Sequence, residues 1–248
     1  MINKKHILII LFVTSSLTVL GQRQTVNQFN SWYMYFGNHA LTDRWGLHTE
    51  YQFRRDGFIE NWQQSLLRFG LDYKLNKELT LTSGYAFIRS FPFGELPIAE
   101  EIDEQRIWQT LTVNQFFKGW ILNHRYRLEQ RWIERPSTSE ESGSVYRNRI
   151  RYRAMATIPL TNKTLETGTI FLSIYDEIFI GFGENVAQAF DQNRAYAALG
   201  YQLNPGANLQ LGYLNQVALK SDGINQERNH TLMVALTYNL DFRKPKGE

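Results

Sequence analysis

The sequence of 248 residues contains no cysteine. That absence excludes a disulfide framework, a thiolate metal site and a lipid anchor on an N-terminal cysteine. Beyond the N-terminal region there is also no run of 18 apolar residues, so no membrane-spanning helix is predicted. The mean hydropathy of −0.40 is typical of a water-soluble protein. A β-barrel is the one membrane architecture compatible with this value, because every second residue of each strand is polar.

Sequence motifs for cofactors are also lacking. His39, His48 and His230 are scattered and do not have the spacing of metal ligands. The glycines form no phosphate-binding loop. We therefore predict no metal and no organic cofactor. The formal net charge of +3 is small, and nothing in it favours a nucleic-acid partner.

The N-terminus has the organisation of a secretory signal peptide. Lys4 and Lys5 precede an apolar run from Ile7 to Val13, and small and polar residues follow. We predict a cleaved signal peptide over residues 1–21 and a single mature domain over residues 22–248. Cleavage lowers the formal net charge from +3 to +1. An N-terminal membrane anchor is disfavoured because the apolar run is short.

Alternation of polar and apolar residues dominates the mature chain. Between Trp120 and Ile158 the sequence reads WILNHRYRLEQRWI, then a polar loop, then YRNRIRYRAMATI. A period of two residues indicates β-strands, in which successive side chains point to opposite faces. One face of these two strands is aromatic and aliphatic, and the other carries the arginines.

Eleven such segments follow one another from about Gln28 to Asp241, with no helical period between them. Short connections such as Lys118-Gly119 alternate with long polar loops such as Phe91 to Glu104. This alternation is typical of outer-membrane barrels, whose short turns are periplasmic and whose long loops are extracellular. We predict an all-β, antiparallel, up-and-down transmembrane β-barrel of about 10–12 strands. Twelve strands are favoured because bacterial single-chain barrels have an even number.

The two-residue turn at Lys118-Gly119 sets Phe117 opposite Trp120 and so assigns the faces of three neighbouring strands. Their apolar face is predicted to meet lipid, and their polar face to line the lumen. The predicted basic cluster of the lumen comprises Arg106, Arg125, Arg127, Arg131, Arg147, Arg149, Arg151 and Arg153. The predicted acidic partners are Glu50, Asp72, Glu129 and Glu177.

The expected registers bring particular charges together. Arg131 is predicted to lie near Arg147, and Glu129 near Arg149. Glu177 is predicted to lie near Arg147 because the turn before the eighth strand is read as short. Two interpretations of the cluster stay open. Arginines and acids fill the interior as an ion-paired plug, or the arginines form a constriction that attracts small anionic solutes.

Catalysis on the outer wall is a further alternative, since some barrels are lipid hydrolases with Ser and His on the lipid side. His124 and Ser83 both fall on that face. Neither belongs to a recognisable nucleophile motif or has an orienting partner, so no enzymatic activity is predicted. A lipid-modifying barrel enzyme and a soluble periplasmic ligand-binding barrel are the alternatives to a narrow pore or a passive structural barrel.

Four segments, NHRYRLEQRW, YRNRIRYR, SIYDEIFI and FDQNRAYAALGYQL, resemble the domain-of-unknown-function family 2490. The resemblance covers the chain from about Phe29 to Leu240. It implies a β-barrel in the outer membrane of a Gram-negative bacterium, and it implies no activity and no catalytic residues. The expected partners are outer-membrane lipid and lipopolysaccharide, the barrel-assembly machinery and a small anionic solute.

Overall fold

The structure, a computed structural model, describes residues 23–243. The predicted signal peptide lies outside these residues. In the described chain the regular elements are eleven β-strands, and no helix there is long and apolar enough to cross a membrane. The strands are β1 (Gln24–Ala40), β2 (Trp45–Asp56), β3 (Trp62–Lys74), β4 (Leu79–Ser90), β5 (Ile102–Phe117), β6 (Trp120–Glu134), β7 (Ser144–Pro159), β8 (Ile170–Phe182), β9 (Phe190–Asn204), β10 (Ala207–Leu219) and β11 (Asn225–Tyr238).

The strands form one closed barrel. Each strand pairs antiparallel with the next, and β1 closes the wall by pairing with β11 in parallel, from Gln24 opposite Asn225 to Phe36 opposite Thr237. An odd number of up-and-down strands leaves the first and last strands pointing the same way, so the closing pair is parallel. The expectation of twelve strands is wrong for residues 23–243, because the wall closes with eleven.

Two ends of the barrel are distinguished by their connections. The connections after the odd-numbered strands form the short-turn end, and those after the even-numbered strands form the loop end. The predicted alternation fails after β7, where residues 160–169 form a loop and β8 begins at Ile170. Thr169 organises this loop: its hydroxyl donates to the carbonyl of Thr164 at 3.1 Å and accepts from Asn162 at 2.8 Å.

The outer and inner faces of the wall have opposite polarity. Large apolar side chains stand exposed on the outside, among them Leu67, Leu71, Leu199 and Leu211. Charged and amide side chains are instead buried inside, as the alternation predicts. A soluble protein arranges its residues the other way round, with charges in water and apolar groups in the core.

A pair of glycines makes room for an aromatic side chain in the lumen. Gly70 of β3 lies opposite Gly84 of β4, which lies opposite Trp108 of β5. A Cβ atom on Gly70 would come within 2.9 Å of the Trp108 ring, and one on Gly84 within 2.1 Å of the Phe69 carbonyl oxygen. The indole therefore lies against bare backbone, and this places it beside the arginines of the lumen.

Candidate functional site

The arginines of β6 and β7 lie side by side inside the barrel. The register pairs Arg131 with Arg147, as predicted, and also pairs Arg127 with Arg151. Three further lumen arginines, on β2, β3 and β9, were not singled out from the sequence: Arg54, Arg68 and Arg194. With the eight that the sequence placed in the basic cluster, the described lumen contains eleven arginines.

Glu129 of β6 is the centre of this group, and its side chain is 0% exposed. Its carboxylate accepts hydrogen bonds from Arg149 at 2.5 Å and from Arg151 at 2.8 Å. Arg68 and Arg106 approach it to 3.8 Å. Because Arg68 belongs to β3, this one carboxylate links strands that are not neighbours in the wall. The predicted proximity of Glu129 and Arg149 agrees with the register, in which they are directly opposite.

Glu177 of β8 holds a second group of arginines. It accepts hydrogen bonds from Arg125 at 2.7 Å and from Arg151 at 2.8 Å. Its register partner is Arg153, so the prediction that it lies near Arg147 is wrong. The reason is the loop over residues 160–169, which is longer than the predicted turn and shifts the pairing of β7 with β8.

Glu50 and Asp72 have different surroundings. Glu50 accepts from Arg68 at 2.5 Å, and so continues the network to β2. Asp72 accepts from the Thr82 hydroxyl at 2.6 Å. Within residues 23–243 no arginine lies within 4.0 Å of the Asp72 carboxylate. Of the four predicted acidic partners, therefore, Asp72 is the one that holds no arginine.

Glu104 is an acidic partner that sequence reasoning missed. It accepts from Arg106 at 2.9 Å and from Arg131 at 2.6 Å. The cluster of acids before it predicts a loop from Phe91 to Glu104, but β5 begins at Ile102. Its position in the sequence could have revealed it. Glu104 lies two residues before Arg106, and residues two apart on a strand point to the same face.

Asp191 is a second missed partner, and no periodic pattern could have found it. It accepts from Arg149 at 2.6 Å. The pairing of β8 with β9 skips Asp191: Phe179 lies opposite Gln192, and Ile180 lies opposite Phe190. This irregularity is a β-bulge, which inserts one residue and interrupts the alternation of faces.

Seven residues of this network meet at the middle of the lumen, and we call them the plug. They are Glu50, Arg68, Arg106, Glu129, Arg149, Arg151 and Glu177. Charge-assisted hydrogen bonds of this kind are shorter and stronger than neutral hydrogen bonds, and they offset part of the cost of removing the charges from water.

Five lumen arginines have no carboxylate within 4.0 Å among the described residues: Arg54, Arg127, Arg147, Arg153 and Arg194. Most of them lie over aromatic rings instead. The Arg54 guanidinium lies 3.9 Å from the ring centre of Trp32, and the Arg127 guanidinium 4.6 Å from that of Trp108. Such contacts satisfy a cation in part but do not cancel its charge. With Asp72, Glu104, Asp191 and Glu227, the plug acids make seven lumen carboxylates against eleven arginines among the described residues, so the charge inside is positive.

The plug divides the lumen into two cavities. The loop-end cavity has a volume of about 580 Å³, and the short-turn-end cavity about 410 Å³. The side chains that line both cavities lie at the level of the plug: Gln52, Arg68, Arg151 and Arg194.

The residues considered for catalysis are not brought together. His124 contacts the Tyr152 hydroxyl at 2.8 Å and lies opposite Val113 of β5. Ser83 lies opposite Gln109, four residues away along β5. In residues 23–243 no group of three His, Cys, Asp or Glu side chains could hold a metal ion.

The fold and the site define a class: closed all-β barrels with a charged, internally ion-paired lumen. The chain belongs to the family described as "Protein of unknown function (DUF2490)", whose model matches residues 29–228. It is similar to an uncharacterized protein of Methylorubrum extorquens, with 27% identity over 192 residues that cover 75% of this chain and 77% of that protein. No solved structure matches the chain.

Proposed function

We propose that this protein is an outer-membrane β-barrel of a Gram-negative bacterium whose lumen is closed at mid-height by the plug. In this proposal it is a closed, anion-binding barrel, and not an open pore. The observation that carries the proposal is the position of Glu129, which is fully buried and joins arginines from three different strands of the wall, β3, β5 and β7.

The surface of the wall supports the membrane location. The exposed apolar side chains form the outer face of strands of 12 to 17 residues, which is long enough to cross a bilayer when tilted. Aromatic pairs stand at both ends. Phe117 and Trp120 stack at 4.3 Å at the short-turn end, and Trp132 lies 5.2 Å from Tyr146 at the loop end. Aromatic girdles at both interfaces are typical of membrane barrels.

The membrane location predicts the fate of the expressed protein. The full chain produced in a Gram-negative host is expected in the outer-membrane fraction. Without boiling it should migrate on a denaturing gel at a position different from that of the boiled protein, because the closed barrel resists detergent. Recovery in the soluble periplasmic fraction would contradict the proposal and favour a soluble ligand-binding barrel.

The packing of the plug supports closure. The four arginines around Glu129 come from β3, β5 and β7, so their side chains extend into the lumen from several directions. Arg68 bridges Glu129 and Glu50, and Arg151 bridges Glu129 and Glu177. To pass this layer, a hydrated ion would have to break buried charge-assisted hydrogen bonds, each of which contributes about 1.5–3 kcal/mol.

Closure predicts that the purified protein shows no stable current steps in a planar lipid bilayer, whereas an open porin does under the same conditions. An anion-preferring pore is the second candidate, favoured by the five arginines without a carboxylate partner. Steady steps whose reversal potential in a salt gradient indicates anion preference would establish that pore and overturn the closed barrel.

A further inference from the structure

We propose that the loop-end cavity is a binding site for an amphipathic anion, with a carboxylate or phosphate head on a single hydrocarbon chain of medium length. This inference rests on the proposed function in one respect: the closed plug forms the floor of the cavity and keeps a bound molecule from passing through.

The head-group site is centred on Arg147. Its Nε atom is buried and has no acceptor, and no carboxylate of residues 23–243 lies within 4.0 Å of its guanidinium. It stands directly opposite Arg131, whose guanidinium is already held by Glu104 at 2.6 and 3.1 Å. Two adjacent cations repel each other unless an anion lies close to both. A carboxylate or phosphate would accept two hydrogen bonds from the free fork of Arg147.

The charge of the whole cavity favours the same ligand. Ten cationic side chains line it, against four carboxylates. Two of the cations, Arg54 and Arg194, also lack a carboxylate within 4.0 Å among the described residues. An anion that enters this cavity therefore meets arginines whose charge is not already neutralised.

An apolar zone lies directly above the charged residues. On three adjacent strands, the next side chain on the lumen face toward the loop end is aliphatic. Ile102 lies two residues from Glu104 on β5, Ile133 two residues from Arg131 on β6, and Val145 two residues from Arg147 on β7. All three line the cavity. Alternate residues of a strand are about 6.6–6.8 Å apart, so the change from charge to hydrocarbon occurs within a few methylene groups.

The loop between β4 and β5 covers this zone. Phe93, Leu96 and Ile98 are partly buried and line the cavity, whereas the residues between them are exposed. The loop is attached to the connection between β10 and β11. Lys220 of that connection donates a hydrogen bond to the Leu96 carbonyl oxygen at 2.9 Å, and it also pairs with Glu227 at 2.5 Å. The apolar residues therefore form a lining over the arginines, where a hydrocarbon chain would be buried.

The volume limits the size of the ligand. About 580 Å³ is within the range of roughly 300–1,000 Å³ found for small-molecule sites. One short chain with its head group fits, whereas a lipid with several long chains does not. Octanoate and octyl phosphate are suitable probes, and the pair distinguishes a preference for carboxylate from one for phosphate.

The test is equilibrium dialysis of the purified full-length barrel in a nonionic detergent, with the same micelles on both sides to cancel partitioning. Octanoate is expected to bind, and octanol, which has the chain without the charge, at least tenfold more weakly. Butanoate should also bind more weakly, because each buried methylene contributes a factor of about four.

Substitutions of single residues test whether the anion binds at Arg147. Arg147→Gln is expected to weaken octanoate binding about tenfold or more, as for loss of a charge-assisted hydrogen bond. Arg153→Gln is the matched control, because Arg153 also lacks a carboxylate within 4.0 Å in the described chain but lines the cavity on the other side of the plug. It should leave the affinity within about twofold of wild type. Ile133→Thr should reduce the difference between octanoate and butanoate.

Several results would overturn the site: no binding of either anion, equal binding of octanoate and octanol, or equal losses for Arg147→Gln and Arg153→Gln. These failures are distinct from failure of the closed barrel. A wild-type protein that conducts overturns the plug, whereas a closed barrel that binds neither anion overturns the ligand site alone.

Discussion

Glu129→Gln is expected to lower the free energy of unfolding by about 3 kcal/mol, although it changes one atom of the side chain. The carboxylate is fully buried and contacts four arginines between 2.5 and 3.8 Å. The neutral amide removes the negative charge that these cations share, and its NH₂ group points a donor at other donors. Removal of one partner from a buried ion pair typically costs about 3–5 kcal/mol. The lower value applies because each arginine keeps a second carboxylate.

Urea unfolding of the barrel refolded into lipid vesicles measures this change. The matched control is Glu141→Gln in the loop between β6 and β7. Glu141 also pairs with an arginine, Arg135 at 2.6 Å, but its side chain is 72% exposed. Exposed pairs contribute about 1 kcal/mol or less. If Glu129→Gln and Glu141→Gln lower the free energy of unfolding equally, the buried position of Glu129 in the plug does not contribute to the stability of the barrel.

The wall of the barrel could be predicted from the sequence because its physical rule is local. Period-two alternation identified the strands and their faces, and the Lys118-Gly119 turn predicted that Phe117 pairs with Trp120, which the register confirms. A two-residue connection leaves the strands no freedom in register. Where the connection is long, as over residues 160–169, the register is free, and the predicted neighbour of Glu177 was wrong.

Contacts across the lumen could not be predicted in the same way. Glu129 meets Arg68, at 3.8 Å, because the curvature of the closed eleven-stranded wall turns the side chains of β3 and β6 toward each other inside the lumen, although the two strands are not paired. Parity gives the face of a residue, but it gives neither the diameter of the barrel nor the parallel closure of β1 on β11. Asp191 shows a further limit, since a bulge brings its carboxylate to Arg149 against the alternation of β9.

The largest functional change is expected from opening the plug by the combined substitutions Arg68→Ala, Glu129→Ala and Arg151→Ala. The three side chains connect the wall across the lumen, and two of them line both cavities. Their truncation joins the two cavities into one passage. In planar bilayers we expect steady unitary steps where the wild-type protein shows none.

Of the four plug residues that remain, three keep a charged partner from the arginine–carboxylate network. Arg106 retains Glu104, Arg149 retains Asp191, and Glu177 retains Arg125. Glu50 loses Arg68, and keeps one hydrogen bond from Gln52 and a contact with His48 at 3.4 Å. Removing both partners of a buried ion pair leaves no uncompensated charge from that pair, whereas removing one partner does. The triple variant should therefore fold, and its heat-modifiable gel mobility checks that it does.

The current through the opened barrel should also favour anions. Nine lumen arginines then face six carboxylates in the described chain, and rings of arginine favour anionic solutes in pores. The control removes a pair of similar geometry at the loop end, Arg89→Ala with Asp103→Ala, whose side chains are 2.7 Å apart and partly exposed. That variant should remain closed. A folded triple variant that stays closed would show that the barrier to ions does not depend on Glu129 and the two arginines that bridge it to Glu50 and Glu177.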